Sequence, residues 1–401
     1  MSTWPAGLTI FLIAGEPSGD ELGAHLMAAM EELAGGHVRF AGIGGPAMAR
    51  QGLESLFPMA ELSVMGLVEV LPRAPRLLRR IGETVAAIHE LRPHAVVTID
   101  APGFCFRVAA RLKRATKSGP PIPPIVHYVA PQVWAWRPGR ARTLAKIVDH
   151  LLVLLPFEPP YFEKYGLECT YVGHPAFESG VQRGNGAALR AKLGIRADDT
   201  VLCLLPGSRS SEVSRLLPVF RETVARLLRE LPRLRILCAA AAPVADQIKA
   251  EITAWPFAVH VADNEERFDA MAASDVALVA SGTVTLELAA ASVPMVVAYR
   301  MNPITAWLAR RLVRVQYATL VNLVIGRGAI PELLLEDCYP EALARALLRL
   351  LRNDAERQCQ RVAMAEALAR LGTGGVRPST RAAKAVLGVI AAWHDQEKSD
   401  A

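Results

Sequence analysis

The chain has 401 residues, is 52% hydrophobic and carries a formal net charge of +6, so it is long enough to bury two cores. Its six cysteines are scattered with no C-x-x-C pair, which excludes a zinc ribbon or a disulfide framework and reads as free thiols in a reducing compartment. Residues 9–14 are too short an apolar run for a secretion signal, and no run of roughly 18 apolar residues occurs; a cytoplasmic chain that spans no membrane is expected.

Leu8–Ala14 is predicted as a buried first strand and residues 21–33 as the first helix, with Gly15-Glu16-Pro17-Ser18-Gly19-Asp20 as the turn between them. A second strand at 38–41 runs into Gly42-Ile43-Gly44-Gly45-Pro46. Gly44 and Gly45 permit backbone to approach a ligand closely, and Pro46 suits the first position of a helix. Both turns fall at carboxyl ends of parallel strands, where open α/β sheets bind ligands. Residues 60–71 crowd Val64, Met65, Leu67, Val68 and Leu71 together, and Arg73, Arg76, Arg79 and Arg80 follow. A stretch both apolar and basic fits a membrane interface with arginines toward lipid phosphate; a core helix with a charged exit is the plain alternative.

Ala95–Ile99 is a third strand tipped by Asp100. An acid there points into a ligand crevice as a candidate general base, or else caps the helix expected at 103–115. The strand at 125–129 leads into Pro131-Gln132-Val133-Trp134-Ala135-Trp136-Arg137, whose two tryptophans suggest a ligand or interdomain surface. Strands at 149–155 and 169–172 close the first half. The small, polar stretch 179–186 is the best linker.

Beyond it the pattern restarts. Val201–Leu205 leads to the turn Pro206-Gly207-Ser208-Arg209 and a helix at 211–231 with an early acid, Glu212. Strands follow at Arg235–Ala239, 258–261, Val276–Ala280 and Met295–Tyr299. Arg209 offers a planar fork to phosphate oxygens. Ser281-Gly282-Thr283 opens a helix whose first N–H groups suit a pyrophosphate. Glu287 lies one turn further in, about 6 Å along the axis, placed to accept both hydroxyls of a ribose. Residues 304–315 set Trp307 beside Arg310 and Arg311 on a second basic amphipathic stretch. Residues 317–327 read as irregular and the tail from Pro340 as helical.

Charge is segregated. From Arg73 to Lys146 there are 14 Lys/Arg against three acids, and residues 288–331 hold five arginines and no acid. Such segregation favours a polyanion: nucleic acid, anionic lipid or a phosphorylated substrate. Low aromatic content and the lack of a recognition motif disfavour nucleic acid. No D-x-D triplet, Walker loop, G-x-S-x-G elbow or strict G-x-G-x-x-G fingerprint occurs, so no metal or organic cofactor is expected.

The motifs AGEPSGD (residues 14–20), GIGGPAM (42–48), IDAPGF (99–104), PQVWAWR (131–137), YVGHP (171–175), LPGSRSSEV (205–213) and SGTVTLE (281–287) stand in one order. Together with the Asn322 region they make the chain closely resemble the lipid-A-disaccharide synthase family, from residue 8 to about 340. The resemblance implies an α/β chain of GT-B type, with two Rossmann-like domains facing across a crevice. It implies an acceptor and membrane-facing domain at 1–176, a UDP-sugar domain at 177–340, and C-terminal helices at 341–401 that pack back on the first domain or are exchanged in a homodimer. The implied reaction is inverting transfer of 2,3-diacylglucosamine from its UDP derivative to 2,3-diacylglucosamine 1-phosphate, on the cytoplasmic face of a Gram-negative inner membrane.

Carried over to this sequence, Asp100 matches the base, Arg209 and Glu212 an essential motif, Asn322 an essential asparagine, and Ser18 and Asp20 the N-terminal motif, with Gly19 between them. Acceptor binding is thus expected at Ser18, Gly19, Asp20, Gly44 and Gly45. Donor binding is expected at Gly207, Ser208, Arg209, Glu212, Ser281, Gly282, Thr283, Glu287 and Asn322. The family often has Asp where Gly103 stands and Pro where Val321 stands; the first departure leaves Asp100 as the base candidate. The alternatives are another UDP-sugar enzyme of the same fold (a UDP-sugar 2-epimerase or the peptidoglycan lipid N-acetylglucosaminyltransferase) and a non-catalytic two-lobed binding protein.

Overall fold

A computed structural model describes residues 7–36, 38–62, 74–115, 122–302 and 315–400. The chain forms two compact units, Met1–Pro175 with Val376–Ala401, and Ala176–Gly375.

The first unit is built on six parallel strands, β1 (Leu8–Ala14), β2 (Val38–Ile43), β3 (Ala95–Ile99), β4 (Ile125–Tyr128), β5 (His150–Val153) and β6 (Glu168–Tyr171), in the order β2-β1-β3-β4-β5-β6. The alternation of β1 explains the layering. Leu8, Ile10, Leu12 and Ala14 enter one core cluster and Phe11 and Ile13 the other, so both faces need helices. On the first face lie α1 (Pro17–Ala34) and α2 (Pro46–Arg50); on the second, α3 (Ala74–Leu91), α4 (Pro102–Ala115) and α5 (Gly139–Leu144).

The second unit repeats the plan with β7 (Val201–Leu205), β8 (Arg235–Ala239), β9 (His260–Ala262), β10 (Val276–Ala280), β11 (Met295–Tyr299) and β12 (Glu332–Leu334), in the order β12-β11-β10-β7-β8-β9. Its helices include α6 (Ser210–Glu230), α7 (Arg267–Ala272), α8 (Val284–Ala290), α9 (Leu320–Ile325), α10 (Pro340–Arg352) and α11 (Asp354–Arg370). The last helix, α12 (Pro378–Asp400), belongs to the first unit. Its Ala382, Ala383, Val386, Leu387 and Ile390 are fully buried on the α1 face of the first sheet. They follow the i, i+3, i+4 spacing of a core stripe, and each of the three larger side chains contributes roughly 1.5–3 kcal/mol.

Several elements differ from expectation by a residue or more, and three of the differences bear on the site. Helix α1 begins at Pro17 rather than residue 21, because proline's fixed φ favours the first helical position; Ser18, Gly19 and Asp20 therefore lie in its first turn. β4 stops at Tyr128 because Val129 has φ 80. Residues 320–325, expected to be irregular, form α9: the Thr319 hydroxyl caps it by accepting from the Asn322 N–H, and Gly326 ends it at φ 74.

Among the described residues no helix is long and apolar enough to cross a membrane. The expected interface residues Val64, Met65, Leu67, Val68, Leu71, Trp307, Arg310 and Arg311 lie outside the described residues. Arg76 and Arg79 are exposed on α3, beside Leu78 at 58% exposure. Arg80 does not face outward as expected. It is held by Glu61 at 2.7 and 2.9 Å and by Glu83 at 2.6 Å, and stacks 4.4 Å above the Phe57 ring. Two carboxylates and an aromatic face occupy its guanidinium inside the unit.

Candidate functional site

Each sheet reverses its winding between its first strand and the next one added on the far side. These switch points, β1/β3 and β7/β10, are where doubly wound sheets open a crevice at the strands' carboxyl ends. The motifs sit there: Gly15–Asp20 and Asp100–Phe104 at the first, Pro206–Arg209 and Ser281–Thr283 at the second.

At the first switch point the two turns touch. A Cβ on Gly15 would stand 2.8 Å from that of Ala101, so only glycine fits. Asp100 and Ala101 have φ 46 and 43. Two successive non-glycine residues in the left-handed region cost about 1–3 kcal/mol each and concentrate at functional sites. The strained turn is pinned by the Asp100 N–H donating to the Tyr128 carbonyl at 2.9 Å and by the Ala101 carbonyl, which accepts from Phe104 and Cys105 at 3.0 Å each. It leaves the Asp100 side chain half-buried at the strand tip. Asp100 lies close enough to Cys105 for its charge to join burial in raising that thiol.

Asp20 has a different part from the one expected. It is 4% exposed, and its carboxylate accepts from the N–H groups of Gly45 (2.8 Å), Ala47 (2.8 Å) and Met48 (3.0 Å). It braces the second glycine turn from the first and caps α2. A Cβ on Gly45 would lie 2.6 Å from Asp20 Oδ2, and one on Gly44 2.8 Å from Met48 Sδ. These glycines therefore make room for the protein's own side chains. Gly19 is buried over the Ile99 carbonyl, and Ser18 is exposed beside it.

A second brace holds the loop after β4. Glu158, 3% exposed, accepts from the Trp134 indole at 3.1 Å and from the N–H groups of Leu154 and Leu155 at 3.1 and 2.9 Å. Burial pushes its carboxyl up to about 7, against the pull of those donors. Sequence reasoning missed Glu158, since nothing local marks a glutamate 24 residues from its indole.

In the second unit Gly207 has φ 115, and a Cβ there would lie 2.6 Å from Glu212 Oε2. Glu212 reaches back one turn from α6 to accept from the Ser208 N–H at 3.2 Å and from Arg209 Nη1 at 3.3 Å. It thus shapes the turn and aims Arg209, whose side chain remains 57% exposed. Tyr299 lies within the field of Glu212, Arg209 and Arg215, its phenol raised chiefly by burial.

At the neighbouring tip the Ser281 N–H is taken by the Ala298 carbonyl at 3.1 Å, which removes it as an anion donor. Gly282 and Thr283 are exposed. Glu287 Oε1 accepts from Arg267 Nη2 at 3.0 Å; among the described residues Oε2 takes no hydrogen bond. Burial holds the Glu287 carboxyl above its ordinary value despite Arg267.

Asn322, expected at the donor, is fully buried. Its Nδ2 donates to the Ile330 carbonyl (2.9 Å) and to Glu332 Oε1 (2.7 Å), and its Oδ1 accepts from the N–H groups of Ala329 and Ile330 at 2.9 Å each. All four of its amide hydrogen-bonding positions are thereby satisfied within the 318–332 segment, which it organises.

Solved structures share this architecture. The UDP-GlcNAc 2-epimerase from Neisseria meningitidis bound to UDP-GlcNAc superposes with TM-score 0.57 at 10% identity, covering 90% of this chain and 98% of that one. The calicheamicin glycosyltransferase CalG4 gives 0.55 at 17%, covering 97% and 99%. Two parallel six-stranded units with motifs at both switch points define the GT-B fold.

The model of the lipid-A-disaccharide synthetase family matches residues 10–386. The lipid-A-disaccharide synthase of Rhodospirillum centenum is 54% identical over 384 residues, 96% of this chain and 95% of that one. That of Paramagnetospirillum magneticum is 49% identical over 391 residues, 97% and 99% of the two chains. The chain belongs to the lipid-A-disaccharide synthetase family, and its activity is glycosyl transfer in lipid A biosynthesis.

Proposed function

We propose that the chain moves 2,3-diacylglucosamine from its UDP derivative onto the 6-hydroxyl of 2,3-diacylglucosamine 1-phosphate, with inversion, giving the β-1′,6 disaccharide 1-phosphate and UDP. The coincidence of the family's motifs with both switch points carries this reading. Asp100, presented by a strained turn, takes the proton from the attacking hydroxyl. As the donor's anomeric C–O bond breaks, negative charge grows on the UDP leaving group. Arg209, aimed by Glu212, and the exposed Gly282-Thr283 turn stabilise it. Glu287 accepts the ribose hydroxyls, oriented by Arg267. Asp20, Gly44, Gly45 and Asn322 act at one remove, by holding these turns in shape.

Both substrates are acylated, so a peripheral seat on the cytoplasmic face of the inner membrane follows. The exposed Arg76, Leu78 and Arg79 support it. Incubation with both acylated sugars should yield the disaccharide phosphate by mass spectrometry; failure to form it under conditions where both substrates stay dispersed sinks the reading. Flotation with anionic vesicles checks the surface assignment, which recovery wholly in the vesicle-free fraction would remove.

A further inference from the structure

The loop between β4 and α5 carries a cluster with no part in the steps above. The guanidinium carbons of Arg137 and Arg140 stand 4.6 and 5.2 Å from the Trp136 ring centroid. Arg80, Arg190 and Arg267 each hold a carboxylate; among the described residues neither Arg137 nor Arg140 does. Two like charges on one ring disfavour each other, and Arg140 is held below its ordinary value by burial and by Arg137.

The backbone is also strained. Arg137 has φ 50 and immediately precedes Pro138. The left-handed region is unfavourable for a side chain with a Cβ, and a following proline restricts its neighbour further toward extended backbone. Folding nevertheless fixes the loop. The Trp136 N–H donates to the Gln132 carbonyl at 3.1 Å and the Arg140 N–H to the Arg137 carbonyl at 3.0 Å, while Glu158 anchors Trp134. The loop leaves β4, the strand next to the one that Asp100 tips. A rigid, strained pair of planar forks without an internal carboxylate, on the same sheet edge as the base, suits a doubly charged phosphate.

We propose that Trp136, Arg137 and Arg140 bind the phosphate monoester of the acceptor sugar, so that the enzyme selects the phosphorylated acceptor over the same sugar without phosphate. The proposal rests on the transferase reading above. A phosphate at a bilayer surface presents related chemistry, and the experiment separates the two sources.

Full-length protein is assayed in detergent micelles with the 1-phosphate acceptor and with its dephosphorylated counterpart. The wild type should prefer the phosphorylated acceptor in kcat/KM. Arg137→Gln and Arg140→Gln should each shrink that preference roughly tenfold or more, with the donor KM unchanged and Arg→Lys retaining part of it. An undiminished preference in both Gln variants overturns the assignment. So does loss of binding to phosphatidylglycerol vesicles with the micelle preference intact, which would make the cluster a bilayer contact. Wild-type protein that joins both acceptors equally well removes this inference and leaves the transferase reading standing, whereas no disaccharide from either acceptor removes both. Thermal midpoints show that the variants fold; should Arg140→Gln not fold, the exposed Arg137 carries the test.

Discussion

At Asp100 the backbone decides where a carboxylate stands. Its turn is held in the left-handed region against an unfavourable φ by bonds to β4 and to the start of α4. That holds a half-buried carboxylate at the strand tip. Asp20, 80 residues earlier, is drawn inward by three N–H donors and braces the second glycine turn. On the proposed mechanism Asp100→Asn preserves size and removes the base. Its kcat should fall by roughly 10²–10⁴-fold, with donor affinity and thermal midpoint near those of the wild type. Initial rates alongside donor titration check this, and near-normal turnover would release Asp100 from the role.

At the scale of elements, much was legible. β1, β3, β7, β8, β10 and β11 match the expected bounds, because a strand buried on both faces leaves an unbroken apolar run between turn residues. The turns that hold Asp100 and Arg209, and the one that precedes Glu287, were legible for the same reason. What stayed hidden were the polar partnerships that cross elements: Asp20 with Gly45, Glu158 with Trp134, Arg267 with Glu287, Asn322 with Glu332. Periodicity reports which face is buried; it carries no information about which distant carboxylate meets a given N–H. Helix α9 was not legible: its capping bond depends on Glu332, which fixes Thr319 from across the segment.

That segment tests a brace against a ligand contact. Asn322→Ala orphans the buried N–H and carbonyl of Ile330, while the Ala329 N–H keeps the Arg327 carbonyl and Glu332 keeps Thr319. Each orphaned group costs about 1–3 kcal/mol, so the thermal midpoint should drop by several degrees and kcat/KM should fall with it. Asn322→Asp, which sets a carboxylate against Glu332, should be no better. A donor-contact role predicts instead a raised donor KM at an unchanged midpoint, so calorimetry alongside kinetics decides between them.

Over the whole molecule, buried titratable groups set a pH range, and in the first unit these include two histidines and a glutamate. His127, in β4, is 1% exposed with Nδ1 2.8 Å from the Thr98 hydroxyl and Phe106 edge-on to its ring; burial pushes it down to about 3. His174 is pushed down to about 4 for the same reason. In the unfolded chain both titrate near 6.5. Below that pH the unfolded state gains protons that the fold refuses, so stability is lost as pH falls from about 6.5 toward 4. Glu158 acts with the opposite sign. With its folded value near 7 and its ordinary one at 4.5, it favours the folded state progressively as pH falls across that interval. Two histidines outweigh one glutamate, leaving a net loss of roughly 3 kcal/mol between pH 7 and pH 4 at about 1.4 kcal/mol per unit. Thermal unfolding followed from pH 7 to pH 4 should therefore show a falling midpoint. Glu158→Gln, which removes the opposing group, should steepen the fall, and His174→Gln should flatten it. Identical slopes in the wild type and both variants would mean that these groups do not govern the acid limit.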